Sequence, residues 1–383
     1  MTSLDKRVFA HFDWGLAFFT LLVPLFGLVV LFSAGYDAEG TVNLFGLVNV
    51  NFPSAACLKQ GVYLVVGLIV MCIGIAIPTH TFYRYSFFLY GVALSLLVAV
   101  AGVGVVVNGS RRWLDLGGFN LQPSEFMKLG LIVTMARVLS KRPPRDGRSY
   151  RFSELLVPGL FIVIPMVLIA RQPDLGTALS LGTVGVGQIL FVGVRRKTLL
   201  AIVIAVVALA YPAWEMLHDY QQRRILVLLD PESDPKGSGY HITQSKIAVG
   251  SGELFGKGYR QGTQTQLEFL PEHTTDFVFS VLAEEWGFVG CLFLLGLFFG
   301  LFVSMLRIAS RTRDLFSCLL AFGFTVQIFA HVVINIGMVI GLMPVVGIPL
   351  PLISYGGSSM LSILFGLGIV QGVSMRRLQY RPS

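Results

Sequence analysis

The feature that most constrains the fold of this chain is a succession of long apolar runs separated by polar or basic segments. Ten runs can be distinguished, at residues 14–34, 61–78, 87–107, 126–140, 155–170, 175–193, 199–214, 286–306, 316–342 and 354–374. A helix needs about 20 mostly apolar residues to cross the ~30 Å hydrocarbon core of a bilayer. Helices are the expected form because a lipid-exposed backbone must satisfy its own hydrogen bonds. The sequence therefore predicts an all-α polytopic membrane protein with about ten transmembrane helices, of which 126–140 and 199–214 give the weakest signals.

The composition supports this prediction, since 54% of the residues are hydrophobic and only 13% are charged. These values exclude an ordinary soluble domain, so the formal net charge of +8 does not indicate nucleic-acid binding. The cysteines show no close pairing, which argues against a disulfide framework or a CxxC metal site. They are Cys57, Cys72, Cys291 and Cys318. We expect a single transmembrane domain over residues 1–383.

Basic residues cluster in alternate loops. With ten spans, the main clusters all fall on the side of the N-terminus. They are Arg84, Lys141–Arg151, Arg195–Lys197, Arg307–Arg313 and Arg376–Arg381. Cytoplasmic loops are rich in Lys and Arg, so both termini are predicted to be cytoplasmic. The polar segment of about residues 215–275, between helices 7 and 8, then forms a large extracytoplasmic loop.

Two arginines depart from this distribution. Arg111 and Arg112, in NGSRRW, fall on the predicted outer face. Because short loops obey the charge rule, an anionic partner outside the membrane explains them better. Arginine holds phosphate through two parallel hydrogen bonds. Trp113 beside them is either part of the same site or an anchor at the membrane interface.

An acidic residue, Asp276, follows the long loop within LPEHTTDFVFSVLAEEWGFVG. Charges are costly inside the bilayer, and an uncharged apolar run resumes only at Trp286. The stretch from Asp276 to Glu285 is therefore predicted to be a helical extension above the lipid. On such a helix, Asp276 would share a face with Ser280 and Glu284. Asp276 is the candidate catalytic residue; alternatively, it stabilises the helix dipole.

Three further charged residues lie near predicted helix ends. Glu125 and Lys128 are three positions apart and are therefore neighbours on a helix. They form either an ion pair at the membrane interface or one wall of a water-filled vestibule. Asp174, in RQPDLG, is predicted to cap a helix and to pair with Arg171.

Polar residues also interrupt the later apolar runs. Gln327, His331 and Asn335 recur every four residues and are predicted to bond neighbouring helices. Pro344–Ser359 contains several prolines and a Gly-Gly pair, so an irregular backbone at the outer mouth is expected. In the long loop, Tyr240–Val249 is predicted to be a short helix and GSGELFGKG a flexible turn.

These motifs, in this order and spacing, resemble the SEDS family of bacterial ten-span peptidoglycan polymerases. The similarity rests on RRW…LGGFNLQPSEFMKLG, RQPDLGTAL, YHITQSKIAVGSGELFGKG, FLPEHTTDFVFSVLAEEWG and GIPLPLISYGGSS. It extends from the first apolar run to the last. The GIPLPLISYGG form looks more like the elongation member, RodA, than the division member, FtsW.

The resemblance implies glycosyl transfer from lipid II at the outer face of the bacterial cytoplasmic membrane, with the essential family aspartate at Asp276. The other motif positions are candidates for substrate binding. They are Arg112, Trp113, Glu125, Lys128, Asp174, Lys246, His273, Thr275 and Ser354. One departure is Glu253, where the family pattern has glycine; it is expected to change loop flexibility without affecting a catalytic residue.

The implied mechanism is a single inverting displacement. Asp276 would act as general base on the C4 hydroxyl of one lipid-linked disaccharide. Arg112, Lys128 and Lys246 would hold the departing pyrophosphate of the other, and a divalent cation, Mg²⁺ or Mn²⁺, would serve the same purpose. The implied partners are a class B penicillin-binding protein, which is the crosslinking transpeptidase, other elongation-complex membrane proteins and membrane lipid.

Three alternatives remain open on the sequence alone. A lipid II flippase or transporter would also need many spans and polar residues in the membrane, but it predicts such residues across both leaflets. A non-catalytic scaffold for other wall enzymes would not require Asp276. A division-type polymerase would share the chemistry and differ in its cellular role.

Overall fold

The apolar runs form helices, and the polar segments between them form turns, short helices and two small sheets. The structure, a computed structural model, describes residues 11–37, 40–44, 48–107, 110–115, 120–141, 149–215, 219–230, 234, 237–266, 269–270 and 272–377. In chain order the helices are α1 (Trp14–Ala34), α2 (Ala55–Ala76), α3 (Thr79–Val103), α4 (Pro123–Lys141), α5 (Phe152–Arg171), α6 (Leu175–Val192), α7 (Arg196–Glu215), α8 (Asp219–Leu229), α9 (Ser238–Ser251), α10 (Thr263–Gln266), α11 (Val278–Arg311), α12 (Leu315–Val339) and α13 (Gly357–Arg376).

Eight of the described helices are long and apolar enough to cross a membrane, namely α1, α2, α3, α5, α6, α11, α12 and α13. The helices α4 and α7 coincide with the weak runs at 126–140 and 199–214 and fall outside this set. The predicted all-helical polytopic membrane fold is thus confirmed, whereas the count of ten spans stays a prediction.

Side-chain caps fix where several helices begin. In each case a side-chain oxygen accepts a hydrogen bond from a first-turn amide, which is typically worth about 1 kcal/mol. The capping residues are Asp13 of α1, Ser54 of α2, Asp174 of α6 and Asp314 of α12. The predicted cap at Asp174 is confirmed, because its Oδ1 accepts the amide of Thr177 at 3.1 Å.

Hydrogen bonds between segments that are distant in sequence show which helix ends lie at the same end of the bundle. Where α11 begins, the amide of Tyr355 donates to the carbonyl of Thr274 at 2.9 Å. At the opposite end, the Ser374 hydroxyl donates to the carbonyl of His11 at 3.0 Å. We call these two ends of the bundle the Asp276 end and the N-terminal end.

The basic clusters follow this division where they are described. Arg84 lies near the start of α3, Arg196 at the start of α7 and Arg311 at the end of α11, all at the N-terminal end. Two predicted clusters include residues 142–148 and 378–383, which lie outside the described residues. The described basic residues thus concentrate at one end of the bundle, and the orientation with this end in the cytoplasm stays a prediction.

Two small antiparallel sheets lie at the Asp276 end, and the sequence analysis did not predict them. Their strands are β1 (Thr41–Leu44) paired with β2 (Val48–Asn51), and β3 (Val105–Val107), β4 (Ser110–Asp115) and β5 (Asn120–Leu121) in one sheet. The strand β4 carries Arg112 and Trp113 at successive positions, so their side chains leave opposite faces. Trp113 is half-buried and pairs with Val105. The side chain of Arg111 lies outside the described part of the chain.

The centre of the bundle is formed by α12 and α13, which are the most enclosed of the eight apolar helices. The helices α13 and α2 approach closely at glycines. A Cβ atom added at Gly74 would lie 2.8 Å from the carbonyl oxygen of Phe365, and one at Gly368 would overlap the backbone of Met71. Small residues allow such close packing, which supplies dispersion energy where lipid offers no hydrophobic driving force.

The described part of the long loop is largely helical, and α9 confirms the helix predicted at Tyr240–Val249. Ser245 of α9 donates a hydrogen bond to the carbonyl of Val339 at 2.7 Å. Its hydroxyl also lies 2.8 Å from that of Ser280, which must then be the donor. These bonds attach α9 to the end of α12 and the start of α11.

The helix α11 is interrupted at Gly287, whose φ of 64° and ψ of −162° are readily adopted only by glycine. The interruption leaves backbone amides without helical partners. The amides of Phe288 and Val289 donate instead to the carbonyls of Glu253 and Leu254, at 2.9 and 3.1 Å. The GSGELFGKG segment therefore completes the backbone hydrogen bonding of a transmembrane helix.

Amides of the same segment also donate hydrogen bonds to carbonyls of α11. The amides of Lys257 and Gly258 donate to the carbonyls of Glu284 and Glu285, both at 3.0 Å. We call residues 253–258 the clasp. The predicted turn is confirmed at residues 252–255, and four backbone hydrogen bonds hold the clasp against α11.

Candidate active site

Asp276 lies in the turn immediately before α11. Residues 272–277 form turns, and the amide of Asp276 donates to the carbonyl of Glu272 at 3.1 Å. Glu272 has a φ of 53°, a left-handed conformation that a helix cannot contain. The helical extension predicted for Asp276–Glu285 is confirmed from Val278 onward, but Asp276 itself precedes the helix, so the prediction that it shares a helix face with Ser280 and Glu284 is wrong. Ser280 contacts α9, and Glu284 contacts the clasp.

The backbone of Asp276 is held by the opposite wall of the site. Nδ2 of Asn335 donates to the carbonyls of Asp276 at 2.9 Å and of Ile348 at 2.8 Å. A Cβ atom added at Gly347 would lie 3.5 Å from Oδ2 of Asp276, so the chain passes close to the carboxylate. The irregular backbone predicted for Pro344–Ser359 is confirmed, since only turns and extended chain connect α12 to α13.

The electrostatic surroundings of Asp276 define the rest of the site. The pKa of Asp276 is raised to about 6, mainly by burial and in part by the nearby carboxylates of Glu272 and Asp174. The guanidinium groups of Arg224 and Arg112 lower it. A carboxyl group with a pKa of about 6 is largely ionised at neutral pH and is a stronger base than an ordinary aspartate. These are the properties of a general base.

Arg112 joins the sheet to the turn between α5 and α6. Its Nε donates to the carbonyl of Gln172 at 3.1 Å, and an Nη donates to the carbonyl of Pro173. Its other Nη lies 3.8 Å from Oδ2 of Asp174. Asp174 therefore pairs with Arg112 and not with Arg171 as predicted, because the Arg112 side chain extends from β4 to the turn between α5 and α6. About 21% of the Arg112 side chain remains exposed.

Arg224 belongs to this site and was missed in the sequence analysis. It lies on α8, within the long loop, close enough to influence the pKa of Asp276. A signal was present, because Arg223 and Arg224 form a second arginine pair in a predicted outer segment. Arg111 and Arg112 indicate an anionic partner because short outer loops are normally poor in basic residues. Long loops are exempt from that rule, so the same inference was not made for Arg223 and Arg224.

Glu125 and Lys128 lie in a separate buried cluster where α4, α12 and α13 meet. Nζ of Lys128 is 2.7 Å from Glu125 Oε1 and 3.2 Å from His331 Nε2. The Ser362 hydroxyl donates to the other carboxylate oxygen of Glu125 at 2.8 Å. The predicted ion pair is confirmed, but Lys128 is only 1% exposed, so it lies inside the bundle and not at the interface. We therefore do not assign the pyrophosphate to Lys128.

Two other candidates lie on elements that surround the site. Lys246 is exposed on α9, and its side chain packs over Gly341 in the turn after α12. Ser354 is buried, and its hydroxyl accepts the amide of Leu350 at 2.8 Å. The hydroxyl of Ser354 thus closes a turn of the irregular segment, whereas the ammonium of Lys246 is accessible.

His273 and Thr275 share the turn of Asp276. Nδ1 of His273 donates to the carbonyl of Leu270 at 2.8 Å, which leaves Nε2 as the free acceptor of the ring. The Thr275 hydroxyl donates to the carboxylate of Glu272 at 3.0 Å. The structure therefore gathers the acidic turn, Arg112, Arg224 and Asp174 at one end of the bundle. Within the residues it describes, no group of three or more His, Cys, Asp or Glu side chains could hold a metal ion.

The chain is similar to known proteins over nearly its whole length. A model of the FtsW/RodA/SpoVE family, described as a cell cycle protein, matches residues 14–379. MrdB of Escherichia coli (strain K12), a peptidoglycan glycosyltransferase by name, is 43% identical over 318 residues, which are 83% of this chain and 85% of that protein. MrdB of Helicobacter pylori (strain ATCC 700392 / 26695), which bears the same name, is 36% identical over 374 residues, which are 97% of this chain and 92% of that protein.

A solved structure shows that the similarity extends to the fold. It is a chain from a peptidoglycan synthase complex in which polymerization and crosslinking are coordinated. That chain superposes with a TM-score of 0.81 at 34% sequence identity, over 96% of this chain and 99% of that one. The family model, the relatives and the fold agree with the resemblance seen in the motifs. The chain belongs to the FtsW/RodA/SpoVE family, which is the SEDS family.

Proposed function

We propose that this chain polymerises lipid II into glycan strands and that Asp276 is the general base of the reaction. The observation that carries the proposal is a half-buried carboxylate with a raised pKa, flanked by two arginines, at one end of a membrane-spanning bundle. Glycosyl transfer from a lipid pyrophosphate needs a base for the acceptor hydroxyl and positive charge for the leaving group. Asp276, Arg112 and Arg224 supply both.

The enzyme class follows from the relatives. The chain is a peptidoglycan glycosyltransferase, as the MrdB proteins of E. coli and H. pylori are by name. The matches to MrdB support an elongation-type enzyme over a division-type one.

The chemical step is an inverting displacement at the anomeric carbon of the donor. The C4 hydroxyl oxygen of the acceptor attacks that carbon, and the bond to the pyrophosphate oxygen breaks with its electron pair. The carboxylate of Asp276 accepts the hydroxyl proton as the new bond forms. A sugar hydroxyl is far less acidic than a carboxyl group, so proton transfer must accompany bond formation.

The leaving pyrophosphate is assigned to cations around Asp276. Arg112 is fixed by two backbone carbonyls and its side chain is partly exposed, so it is already oriented before substrate binds. Arg224 approaches from the long loop, and Lys246 extends from α9. Two guanidinium groups and an ammonium would balance the charge that develops on the diphosphate.

A divalent cation remains part of the proposal. Mg²⁺ is usually bound through one or two carboxylates together with substrate phosphates. The carboxylate of Asp174 would be a ligand of this kind, which leaves Asp276 unbound to the ion and able to act as the base; the described residues offer no larger cluster. Bound there, the ion would neutralise charge on the pyrophosphate. Comparing polymerisation in Mg²⁺, in Mn²⁺ and in chelator measures this requirement.

The orientation we propose places the Asp276 end at the outer leaflet and both termini in the cytoplasm. It is supported by the basic residues at the N-terminal end of the bundle. Lipid II would then react on the outer face of the bacterial inner membrane. A cysteine introduced at the exposed position Phe255 should react with a membrane-impermeant thiol reagent from outside the cell.

We also propose a class B penicillin-binding protein as partner. Support comes from the solved relative, which is part of a complex that coordinates polymerization with crosslinking. A transpeptidase bound to this chain would receive the strand where it is made. Co-purification from membranes with a cognate transpeptidase tests the association.

The function is tested with purified protein, its transpeptidase partner and lipid II, with products resolved on a gel. Asp276→Ala should abolish glycan strands, and Asp276→Glu should lose about 10²-fold, because a base displaced by ~1 Å is poorly placed. Glu253→Gln, which neutralises a carboxylate in the clasp, is the matched control and should stay active. Labelled lipid II in liposomes is followed in parallel. Transport across the bilayer without strand formation would establish the flippase alternative instead.

A further inference from the structure

A cavity of about 240 Å³ lies at the N-terminal end of the bundle, where the start of α1 meets the ends of α11 and α13. The helix α11 begins beside Asp276 and ends at this cavity. The part of α11 that follows the break at Gly287 and ends at Arg311 alone corresponds to roughly 35 Å of helix, at ~1.5 Å per residue. The cavity is therefore separate from the candidate active site.

Three arginines line this cavity. Arg307 and Arg311 lie four residues apart in the last turns of α11, so they share a helix face, and Arg377 follows α13. In the described part of the chain, no carboxylate forms an ion pair with Arg307 or Arg311. An Nη of Arg377 lies 3.4 Å from Nδ1 of His11. Since a guanidinium can only donate, this nitrogen of His11 is the acceptor.

The other polar groups leave this positive charge uncompensated. Asp13 also lines the cavity, but its Oδ1 is engaged as the cap of α1, where it accepts the amide of Leu16 at 2.9 Å. Among the described residues that line the cavity, one carboxylate therefore stands against three guanidinium groups. The first residues of α1, Trp14 and Gly15, line the cavity as well, and a helix N-terminus adds partial positive charge. The cavity is built to attract an anion.

Its position favours an anion that belongs to the membrane. Trp14 is 77% exposed, as expected of a side chain at the lipid–water interface. Exposed apolar side chains continue into the bilayer from it, with Phe18 on α1 and Leu306 on α11. The volume is below the ~300–1,000 Å³ typical of pockets that enclose a drug-sized ligand, so it suits a headgroup whose chains stay in the lipid. Basic pockets between transmembrane helices bind anionic headgroups in this way.

We propose that this cavity binds the phosphate of an anionic phospholipid between Arg307, Arg311 and Arg377. The phosphodiester oxygens would accept hydrogen bonds from the guanidinium groups. Because the arginines come from α11 and the end of α13, and the cavity floor from α1, the lipid would join three helices that are distant in sequence.

The test uses the purified full-length protein in detergent, mixed with equal amounts of phosphatidylglycerol and phosphatidylcholine. Native mass spectrometry counts the lipids retained. We expect phosphatidylglycerol to be preferred by about tenfold. The triple variant R307Q/R311Q/R377Q should lose this preference. The matched control R84Q/R196Q/R313Q removes three positive charges from the same end of the bundle, outside the cavity, and should keep it.

Other outcomes would overturn the proposal. Equal retention of the two lipids by the wild-type protein would do so without any variant, so misfolding of the triple variant cannot leave the question open. Loss of preference in both triple variants would mean that diffuse charge, and not the cavity, selects the lipid. Displacement of phosphatidylglycerol by equimolar inorganic phosphate would show a site for phosphate alone.

Discussion

The side-chain amide of Asn335 donates a hydrogen bond to the backbone carbonyl of Asp276 at 2.9 Å, and a second to the carbonyl of Ile348 at 2.8 Å. One buried side chain thus joins the turn that carries the base to the irregular segment facing it. The position of the carboxylate depends on α12 as much as on its own turn.

Asn335→Ala should therefore reduce polymerisation strongly. Two buried carbonyls would lose a donor, which costs about 1–3 kcal/mol of stability, and a shift of the base by ~1 Å can cost about 10²-fold in rate. The measurement is the polymerisation rate together with thermal unfolding. Gln327→Ala on the same helix is the control, because Nε2 of Gln327 makes no hydrogen bond within the described structure. Equal losses of rate in the two variants would contradict a positioning role for Asn335.

The break in α11 gives a second prediction. Gly287→Ala should lower the melting temperature by several degrees, since its φ of 64° disfavours any other residue and a Cβ would overlap the backbone of Gly256 and Leu254. Gly296→Ala, on the same helix, meets nothing within 4 Å and should leave the melting temperature unchanged or slightly raised. Thermal unfolding in detergent compares the two. Similar melting temperatures would mean that the clasp does not depend on Gly287.

The ion pair between Glu284 and the clasp gives a third prediction. Glu284 is fully buried, and its Oε1 lies 2.6 Å from Nζ of Lys257 and also accepts from Thr263 and Gln264. Lys257→Ala should lower the free energy of unfolding by about 3 kcal/mol. This is the lower end of the range for breaking a buried ion pair, because Lys257 is partly exposed. Adding Glu284→Gln should recover part of this loss. If the double variant were destabilised by the sum of the single effects, the pair would have no coupling energy.

The pKa of Asp276 predicts the pH dependence. The base works only when ionised, so kcat/KM should fall as the pH falls through about 6 and level off above it. A raised folded-state pKa also means that the contribution of this group to stability is present at low pH and is lost as the pH rises through about 6. Asp276→Asn should then be at least as stable as the wild type at pH 8. A kcat/KM midpoint near 4, the ordinary range of an aspartate, would contradict the assignment.

The sequence predicted what depends on local or one-dimensional patterns. Apolar runs of sufficient length mark helices, because lipid leaves the backbone no other way to pair its polar groups. The cap at Asp174 and the pair of Glu125 with Lys128 each involve residues only three positions apart. Spacing along one helix was enough to foresee them.

Features that depend on contacts between distant segments were missed. The clasp pairs residues 253–258 with α11, and nothing in either segment alone indicates the other. Arg224 comes close enough to influence the pKa of Asp276 only because of how the long loop folds. The sequence shows that Glu253 departs from the glycine of the family pattern, but it does not show why that pattern has glycine. Its φ of 46° lies in the left-handed region, which explains why glycine suits that position.

The most direct test of the account is the rate of glycosidic bond formation by Asp276→Asn on lipid II, measured in a single turnover at pH 7.5. The amide keeps the shape of the side chain and cannot accept the proton. We predict a rate lower by about 10²–10⁴-fold than that of the wild type, with lipid II binding and the melting temperature retained. A correctly folded Asp276→Asn protein that joins the two disaccharides at close to the wild-type rate would contradict the assignment of Asp276 as the base.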